Sequence, residues 1–305
     1  MTFPVQRPDM LFHGLSAFPI TPADPNGRVD TDALSALLKR IDKAGADSVG
    51  LLGSTGSYMY LSREEKRRAI EAAVDCLKGG APVIVGVGAL RTDQSVALAQ
   101  DARDAGAEGL LLAPVSYTPL GDDEVFEHFA TVAAATELPL CVYNNPGTTH
   151  FSIGPALLKR LADVLNIVAV KNPALPAAEM AAAHQVSRKA LPAEFSIGYS
   201  GDWLAADAIL AGGAAWYSVI AGLLPEPCAR LMRAAQAGDR AETQRINSLF
   251  EPFWTLFREL SSYRVVHAAA NLLDLSRFDP PRPILPLSQA DRLRVQAALE
   301  ALSAV

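Results

Sequence analysis

The sequence predicts an α/β fold, a (β/α)8 barrel with a C-terminal helical extension. Short apolar runs recur roughly every 20 to 35 residues, and each is followed by an amphipathic, helix-like segment. The runs are apolar throughout rather than alternating, which is typical of parallel strands buried on both faces. Eight such units in about 220 residues fit a barrel. A doubly wound open sheet is the alternative, but no glycine-rich dinucleotide fingerprint follows the first run.

The chain divides into a predicted catalytic barrel, residues 1–225, and a C-terminal helical region, residues 226–305. Predicted strands cover residues 14–21, 48–54, 82–88, 108–114, 139–145, a run ending at Lys171, 194–200 and 214–220. Predicted barrel helices cover residues 31–44, 62–77, 92–105, 122–137, 155–165, 176–189 and 202–211. The C-terminal helices are expected at residues 226–236, 240–260, 261–274 and 288–303.

Composition excludes several classes of function. The net charge is −6 and no cluster of lysine and arginine stands out, so the chain lacks the basic patch that is typical of a nucleic-acid-binding protein. Its N-terminus lacks the continuous apolar core of a signal peptide. Residues 208–224 carry no charge, but Gly212 and Gly213 divide them into two elements that are each too short to span a membrane.

The spacing of the cysteines indicates the cellular compartment of the protein. Cys76, Cys141 and Cys228 are far apart and form no metal-like pair, which favours buried thiols in a reducing environment. Together with the missing signal peptide, this predicts a cytoplasmic protein.

Lys171 is the outlier among the seven lysines of the chain. Six of them fall in or beside helix-like segments rich in charge, where solvated surface is expected: Lys39, Lys43, Lys66, Lys78, Lys159 and Lys189. Lys171 alone ends an apolar strand, where a lysine either extends outward to water or is held in a dry pocket. A neutral lysine in such a pocket attacks ketones to form a Schiff base.

Two other predicted strand ends carry groups that fit this chemistry. Residues 53–57 (GSTGS) combine glycines with hydroxyls and backbone N–H groups that can grip a carboxylate, although a plain tight turn explains them equally well. Tyr143 ends the fifth strand and can move protons, or it can cap the barrel with its hydroxyl in water. Tyr117 offers a second phenol on the loop after strand four. A carboxylate grip, an amine and a phenol together suit a 2-keto acid.

These motifs resemble the dihydrodipicolinate synthase and N-acetylneuraminate lyase family of class I, Schiff-base (β/α)8 lyases. The resemblance covers nearly the whole chain and rests on residues 53–56 (GSTG), residues 143–146 (YNNP) and Lys171. Residues 200–202 (SGD) and 218–219 (SV) are similar to the family's later strand ends. The three motifs are specific for the superfamily but not for one substrate.

The resemblance implies a role for each site residue. Lys171 would form the Schiff base and Tyr143 would shuttle protons. Ser54 and Thr55 would bind the carboxylate, with Thr55 also linking two tyrosines in a proton relay. Tyr117 would be donated to a neighbouring subunit, although Ser116 competes for that alignment. Further substrate contacts would come from Thr148, Gly201 and Tyr217. The family implies a homotetramer, a dimer of dimers, with no metal and no organic cofactor.

The chain also departs from the family at the site for the second substrate. The synthases carry an arginine two residues after the motif proline, and here that residue is Thr148. Losing this bidentate contact would weaken recognition of aspartate semialdehyde by an estimated few kcal/mol. Ser57 and Asn172 replace residues that are acidic in the family, and His150 follows the same loop.

The sequence therefore predicts a Schiff-base lyase or aldolase acting on a 2-keto acid of the pyruvate type. Three alternatives remain open. One is a dehydratase or deaminase of a keto sugar acid that uses the same imine. The second is dihydrodipicolinate synthase itself, and the third is a barrel that binds a keto acid without turnover.

Overall fold

The computed structural model describes residues 11–303 and shows a closed barrel of eight parallel strands. Each strand pairs with its neighbours in sequence, and the first pairs with the eighth. The predicted fold class is thereby confirmed. The strands are β1 (Gly14–Ala17), β2 (Ser48–Leu51), β3 (Val83–Gly86), β4 (Gly109–Leu112), β5 (Leu140–Tyr143), β6 (Ile167–Pro173), β7 (Ser196–Ser200) and β8 (Ala215–Ser218).

The barrel helices follow the predicted order. They are α1 (Thr31–Lys43), α2 (Arg63–Cys76), α3 (Thr92–Asp104), α4 (Asp122–Ala133), the four-residue α5 (Pro146–Thr149), α6 (Pro155–Ala162), α7 (Ala177–Ala190) and α8 (Asp202–Leu210). The start of α2 is fixed by Ser62, whose hydroxyl accepts a hydrogen bond from the backbone N–H of Glu65. The predicted helices did not include α5, which is a single turn.

The C-terminal helices are α9 (Pro225–Gln236), α10 (Arg240–Leu249), α11 (Glu251–Leu260), α12 (Ser262–Leu272) and α13 (Gln289–Ser303). The prediction of one helix over residues 240–260 was wrong, because the chain starts a new helix at Glu251. Pro252 lacks a backbone N–H and is tolerated only in the first turn of a helix. The division at residue 225 stays a prediction, since one apolar cluster joins side chains from both sides of it.

The barrel has two apolar layers. The larger cluster fills the space between the strands and the surrounding helices. A smaller cluster fills the barrel interior and includes Phe18, Cys141, Tyr143, Ala169 and Tyr217. The interior is therefore a packed core, and the chemistry sits where this core meets the carboxyl ends of the strands.

Strand β6 runs two residues beyond Lys171, so the expectation that Lys171 ends its strand was wrong. Asn172 pairs with Tyr199 and Pro173 pairs with Ser200, because β7 is long enough to continue the ladder. Lys171 itself lies between Tyr143 of β5 and Gly198 of β7.

The uncharged stretch at residues 208–224 forms separate elements. It contains the end of α8, all of β8 and a 3-10 helix at Ile220–Gly222. Gly212 has a φ of +108°, which ends α8 with a turn that few other residues adopt. Across residues 11–303, no helix combines the length and the apolar character needed to cross a membrane.

Gly50 in β2 makes room for the Phe18 ring inside the barrel. A Cβ atom at Gly50 would overlap with three atoms of that ring. We expect Gly50→Ala to lower the free energy of unfolding by about 1–3 kcal/mol, because overpacking displaces the ring. Urea denaturation measures this change.

The matched control is Gly154→Ala, where a Cβ atom meets nothing within 4 Å and φ is −73°. Adding Phe18→Leu to Gly50→Ala should recover part of the loss. Equal stability of the Gly50→Ala and Gly154→Ala variants would contradict the packing argument.

Candidate active site

The Lys171 side chain lies in a cage of aromatic rings. Its Nζ atom is 3.8 Å from the centroid of the Phe18 ring, 4.1 Å from that of Tyr143 and 5.6 Å from that of Tyr217. Only 4% of the residue is exposed. Aromatic faces attract a cation within about 6 Å of the ring centroid. The cage therefore supports a positive charge on this nitrogen without accepting any of its protons.

Lys171 has no counter-ion in the part of the chain that the structure describes. Within residues 11–303, no carboxylate forms an ion pair with its Nζ atom and no hydrogen bond engages that atom. The sequence left open whether Lys171 extends outward to water or is held in a dry pocket. Its burial shows that it is held in a dry pocket. A nitrogen without a fixed acceptor is available to form a bond to a carbonyl carbon.

Tyr143 places its phenol beside Lys171. The two residues are directly paired in the β5–β6 ladder. The Tyr143 Oη atom accepts a hydrogen bond of 3.0 Å from Asn145 Nδ2 and lies 3.5 Å from Ser54 Oγ. The structure therefore brings together Lys171, Tyr143 and Ser54, which come from three different parts of the chain.

The loop after β2 is held in an unusual backbone conformation. Leu52 and Ser57 have φ angles of +54° and +58°, which are uncommon for residues with side chains. Ser57 Oγ lies 2.6 Å from Tyr263 Oη of α12, and its backbone N–H donates to the Ser54 carbonyl. In the described part of the chain, the backbone N–H groups of Ser54 and Thr55 have no such partner. The loop can therefore offer two N–H groups and two hydroxyls to an anion.

Thr55 is buried but forms no hydrogen bond with Tyr143 in the described residues. The hydroxyl nearest to that phenol is Ser54 Oγ. A relay role for Thr55 stays a prediction, and the geometry favours Ser54 for it.

Tyr217 of the cage and two groups near it, Tyr58 and Cys141, are also titratable. Burial raises the pKa of Tyr58, and the nearby Tyr143 raises it further. Burial likewise raises the pKa of Tyr217 well above its usual value and that of the Cys141 thiol to about 12. The Cys141 Sγ atom lies 3.6 Å from Tyr217 Oη. All three groups are therefore neutral at physiological pH and contribute no charge to the site.

The remaining predicted site residues lie at the periphery. Tyr117, on the loop after β4, is 95% exposed. Thr148 is exposed within α5, and Gly201 precedes α8 with a φ of +93°. His150 ends α5 in the left-handed conformation and is also exposed. Among residues 11–303, none of these four forms a hydrogen bond with Lys171 or Tyr143.

Two residues of the site were not predicted. Phe18 is the ring of the cage nearest to Lys171 Nζ, and the only available signal was its place within the first predicted strand, residues 14–21. Asn145 lies inside the motif at residues 143–146, but no pattern in the sequence assigned it a role. One lysine was also misjudged: Lys66 of α2 is buried rather than solvated, and burial lowers its pKa.

A buried amine, a neighbouring phenol and a loop whose N–H groups and hydroxyls could hold an anion lie at the carboxyl ends of barrel strands, and together they define a class of enzyme. The class is that of the Schiff-base-forming lyases of the class I aldolase type.

Comparisons with known proteins agree with this class. The model of the dihydrodipicolinate synthetase family matches residues 11–302. A 4-hydroxy-tetrahydrodipicolinate synthase of Rhodospirillum centenum is 33% identical over 296 residues, covering 95% of this chain and 98% of the relative. The crystal structure of a dihydrodipicolinate synthase from Agrobacterium tumefaciens is 58% identical, covers 97% of this chain and 100% of that one, and has a TM-score of 0.95.

A third similar protein was solved with a ligand. It is a dihydrodipicolinate synthase from Acinetobacter baumannii, complexed with pyruvate, which is 26% identical with a TM-score of 0.89. The alignment covers 96% of this chain and 100% of that one. The chain belongs to the dihydrodipicolinate synthetase family. The resemblance based on its three motifs is thereby confirmed, and so is its assignment as a lyase.

Proposed function

We propose that this enzyme acts on a 2-keto acid of the pyruvate type through an imine at Lys171. The observation that carries the proposal is the position of Lys171 Nζ, which is buried against Phe18 and 4.1 Å from the Tyr143 ring centroid. The relative from Acinetobacter baumannii that was solved with pyruvate supports this substrate class.

The loop after β2 captures the carboxylate of the keto acid. The hydroxyls of Ser54 and Thr55 are suited to an anion, and so are their backbone N–H groups, which have no partner within residues 11–303. Ser54 Oγ is also near Tyr143 Oη, so a bound carboxylate lies beside the phenol. This position brings the ketone carbon of the same molecule toward Lys171. Gly201 and Tyr217 are proposed to line the remaining wall.

Imine formation follows from this placement. The unprotonated form of the Lys171 amine attacks the ketone carbon, a C–N bond forms, and one proton passes from the nitrogen to the former carbonyl oxygen. The hydroxyl of this carbinolamine then takes up a second proton, which Tyr143 is placed to supply, and leaves as water, so that a protonated imine remains. Phe18, Tyr143 and Tyr217 stabilise its positive nitrogen through their ring faces.

Tyr143 moves the protons. The protonated imine withdraws electrons from the adjacent carbon, so a proton can leave that carbon to give an enamine, or a C–C bond can break there. The phenol lies beside this nitrogen and exchanges protons through Ser54. General acid–base assistance of this kind contributes about 10²–10⁴-fold to a rate.

A trapping experiment tests the proposal. The protein is incubated with pyruvate and reduced with borohydride, and the peptide that contains Lys171 is analysed by mass spectrometry. We expect a reduced pyruvate adduct on that peptide. The Schiff-base proposal fails if no adduct forms under conditions in which the protein remains folded.

We propose that a second copy of the chain completes the site. Tyr117 is 95% exposed, which is unusual for a tyrosine and leaves its ring free to enter a neighbouring subunit. We propose a homotetramer built as a dimer of dimers, in the cytoplasm, where the three free cysteines stay reduced. Analytical ultracentrifugation that shows a monomer would contradict this assembly.

The identity of the second substrate or leaving group depends on the region of Thr148. The names of the curated relatives favour 4-hydroxy-tetrahydrodipicolinate synthase as a second candidate. Against it, Thr148 is uncharged and exposed at the position where the resemblance implies an arginine in the synthases. The first half of the site, around Lys171, is common to all of these reactions.

Thr148→Arg tests this specificity. We expect it to raise dihydrodipicolinate synthase activity about tenfold or more, because a guanidinium binds a carboxylate through two charge-assisted hydrogen bonds. The measurement is kcat/KM with pyruvate and aspartate semialdehyde, with Thr148→Lys as the control for charge alone. High activity of the unmodified enzyme in this assay would instead identify it as the synthase.

A further inference from the structure

Asn145 contacts the phenol that moves the protons. Its Nδ2 atom donates a hydrogen bond of 3.0 Å to Tyr143 Oη. We propose that Asn145 is a positioning residue that fixes the direction in which the Tyr143 hydroxyl donates its proton and stabilises the phenolate. This inference rests on the proposed Schiff-base function.

The direction follows from counting donors and acceptors. A phenol has one O–H donor and can accept hydrogen bonds through its lone pairs. Because the Asn145 amide donates to the oxygen, the proton of Tyr143 must point elsewhere. Within residues 11–303, the other partner of this oxygen is Ser54 Oγ, at 3.5 Å. The amide, the phenol and the Ser54 hydroxyl thus form a chain that runs toward the loop proposed to hold the carboxylate.

The same hydrogen bond changes strength during the reaction. When Tyr143 gives up its proton, its oxygen becomes charged and the bond from the Asn145 amide becomes charge-assisted. Such bonds are roughly twice as strong as those between neutral groups. The amide therefore stabilises the phenolate more than the phenol, and it favours proton transfer from Tyr143.

The backbone holds Asn145 in the position that this role needs. Its carbonyl accepts hydrogen bonds of 3.0 Å from the N–H groups of Thr148 and Thr149 and from Thr149 Oγ1. These bonds involve the main chain of Asn145, so they remain when its side chain is replaced. A substitution at this position therefore removes the contact with Tyr143 while keeping the turn.

The neighbouring Asn144 provides a contrast. Its side chain bonds the backbone of Ile153 through both amide atoms and donates to Asn172 Oδ1. It makes no hydrogen bond with the Tyr143 hydroxyl in the described residues. The two asparagines of the motif thus have different contacts: Asn144 holds the loop, and Asn145 contacts the phenol of Tyr143.

The charged and titratable groups that face Tyr143 come from several elements of the barrel. Lys171 faces it from β6, Tyr58 from the 3-10 helix after β2 and Tyr217 from β8, with Cys141 on its own strand. Burial keeps Tyr58, Tyr217 and Cys141 neutral. A change in the reaction on replacing Asn145 therefore arises at Tyr143 or at Lys171, and trapping of the adduct separates these two.

The experiment follows the exchange of the pyruvate methyl protons in D2O by NMR, because this exchange needs imine formation and proton transfer but no second substrate. We expect Asn145→Leu to lower the maximal exchange rate about 10–100-fold, the effect of losing one hydrogen bond to a charged group. The KM for pyruvate should stay within about threefold. The borohydride adduct at Lys171 should still form.

The pH profile gives a second readout. In Asn145→Leu the phenolate loses this donor, so we expect the high-pH limb of the exchange profile to move to higher pH. Asn145→Asp should move it further, since a carboxylate repels the phenolate. Asn145→Gln, which keeps an amide, should recover part of the rate.

Two outcomes overturn the inference. One is an exchange rate and a pH profile of Asn145→Leu that match those of the unmodified enzyme. The other is an equal loss in the Leu, Asp and Gln variants with an unchanged pH limb, which would show a structural role. If Asn145→Leu does not fold, the isosteric Asn145→Asp decides between these results. A missing adduct in the unmodified enzyme is a different failure and would refute the Schiff-base function itself.

Discussion

Lys171→Ala is expected to abolish the borohydride-trapped pyruvate adduct and to lower the rate of methyl proton exchange by about 10⁴-fold or more. Removal of a catalytic nucleophile typically has an effect of this size. No other group in the aromatic cage can form an imine, because its remaining members are Phe18, Tyr143 and Tyr217. Mass spectrometry of the reduced protein and NMR of the exchange reaction measure the two effects.

Lys66→Ala is the matched control, because Lys66 is also buried and burial also lowers its pKa. It lies on α2 and has no aromatic cage in the described residues. We expect the Lys66→Ala variant to keep the adduct on the peptide that contains Lys171. An adduct of equal yield in Lys171→Ala would show that another amine carries the reaction.

Tyr143→Phe is expected to separate imine formation from proton transfer. The phenylalanine ring keeps its contact with Lys171 Nζ, so the protonated imine remains stabilised and the adduct still forms. The variant loses the oxygen that contacts Asn145 and Ser54. We expect the exchange rate to fall about 10²–10⁴-fold, which is the usual contribution of a general acid or base.

Single-turnover trapping and proton exchange, measured on the same Tyr143→Phe sample, test this separation. Asn145→Leu should show a smaller loss in exchange than Tyr143→Phe, because it keeps the phenol and removes only its donor. Exchange at the full rate in Tyr143→Phe would mean that another group, such as a water molecule or a second tyrosine, moves the proton.

The main features of the fold could be predicted from the sequence because they depend on local patterns. Each strand is a short apolar run and each helix has an apolar face, so the count of eight units follows without knowledge of tertiary contacts. The pairing of Tyr143 with Lys171 also follows, since both lie near the carboxyl ends of consecutive parallel strands. The break at Phe250 was missed although Pro252 marks it.

The detailed contacts of the site could not be predicted, because they depend on closure of the barrel and on side-chain conformations. Phe18 is distant from Lys171 in sequence and reaches it only because β1 closes against β8. The contact of Asn145 with Tyr143 depends on the turn that starts α5. The burial of Lys66 likewise depends on how α2 packs, and the charge pattern of that helix predicted the opposite.

The continuation of β6 to Pro173 has a consequence for the chemistry at Lys171. A nucleophile on a flexible loop must lose conformational freedom in every catalytic cycle, whereas a residue paired on both sides has lost it during folding. The backbone under the amine is held by two neighbouring strands, so a bound keto acid meets it at a high effective molarity. Variants that weaken the last pairs of this ladder should therefore slow imine formation even though every side chain of the cage is intact.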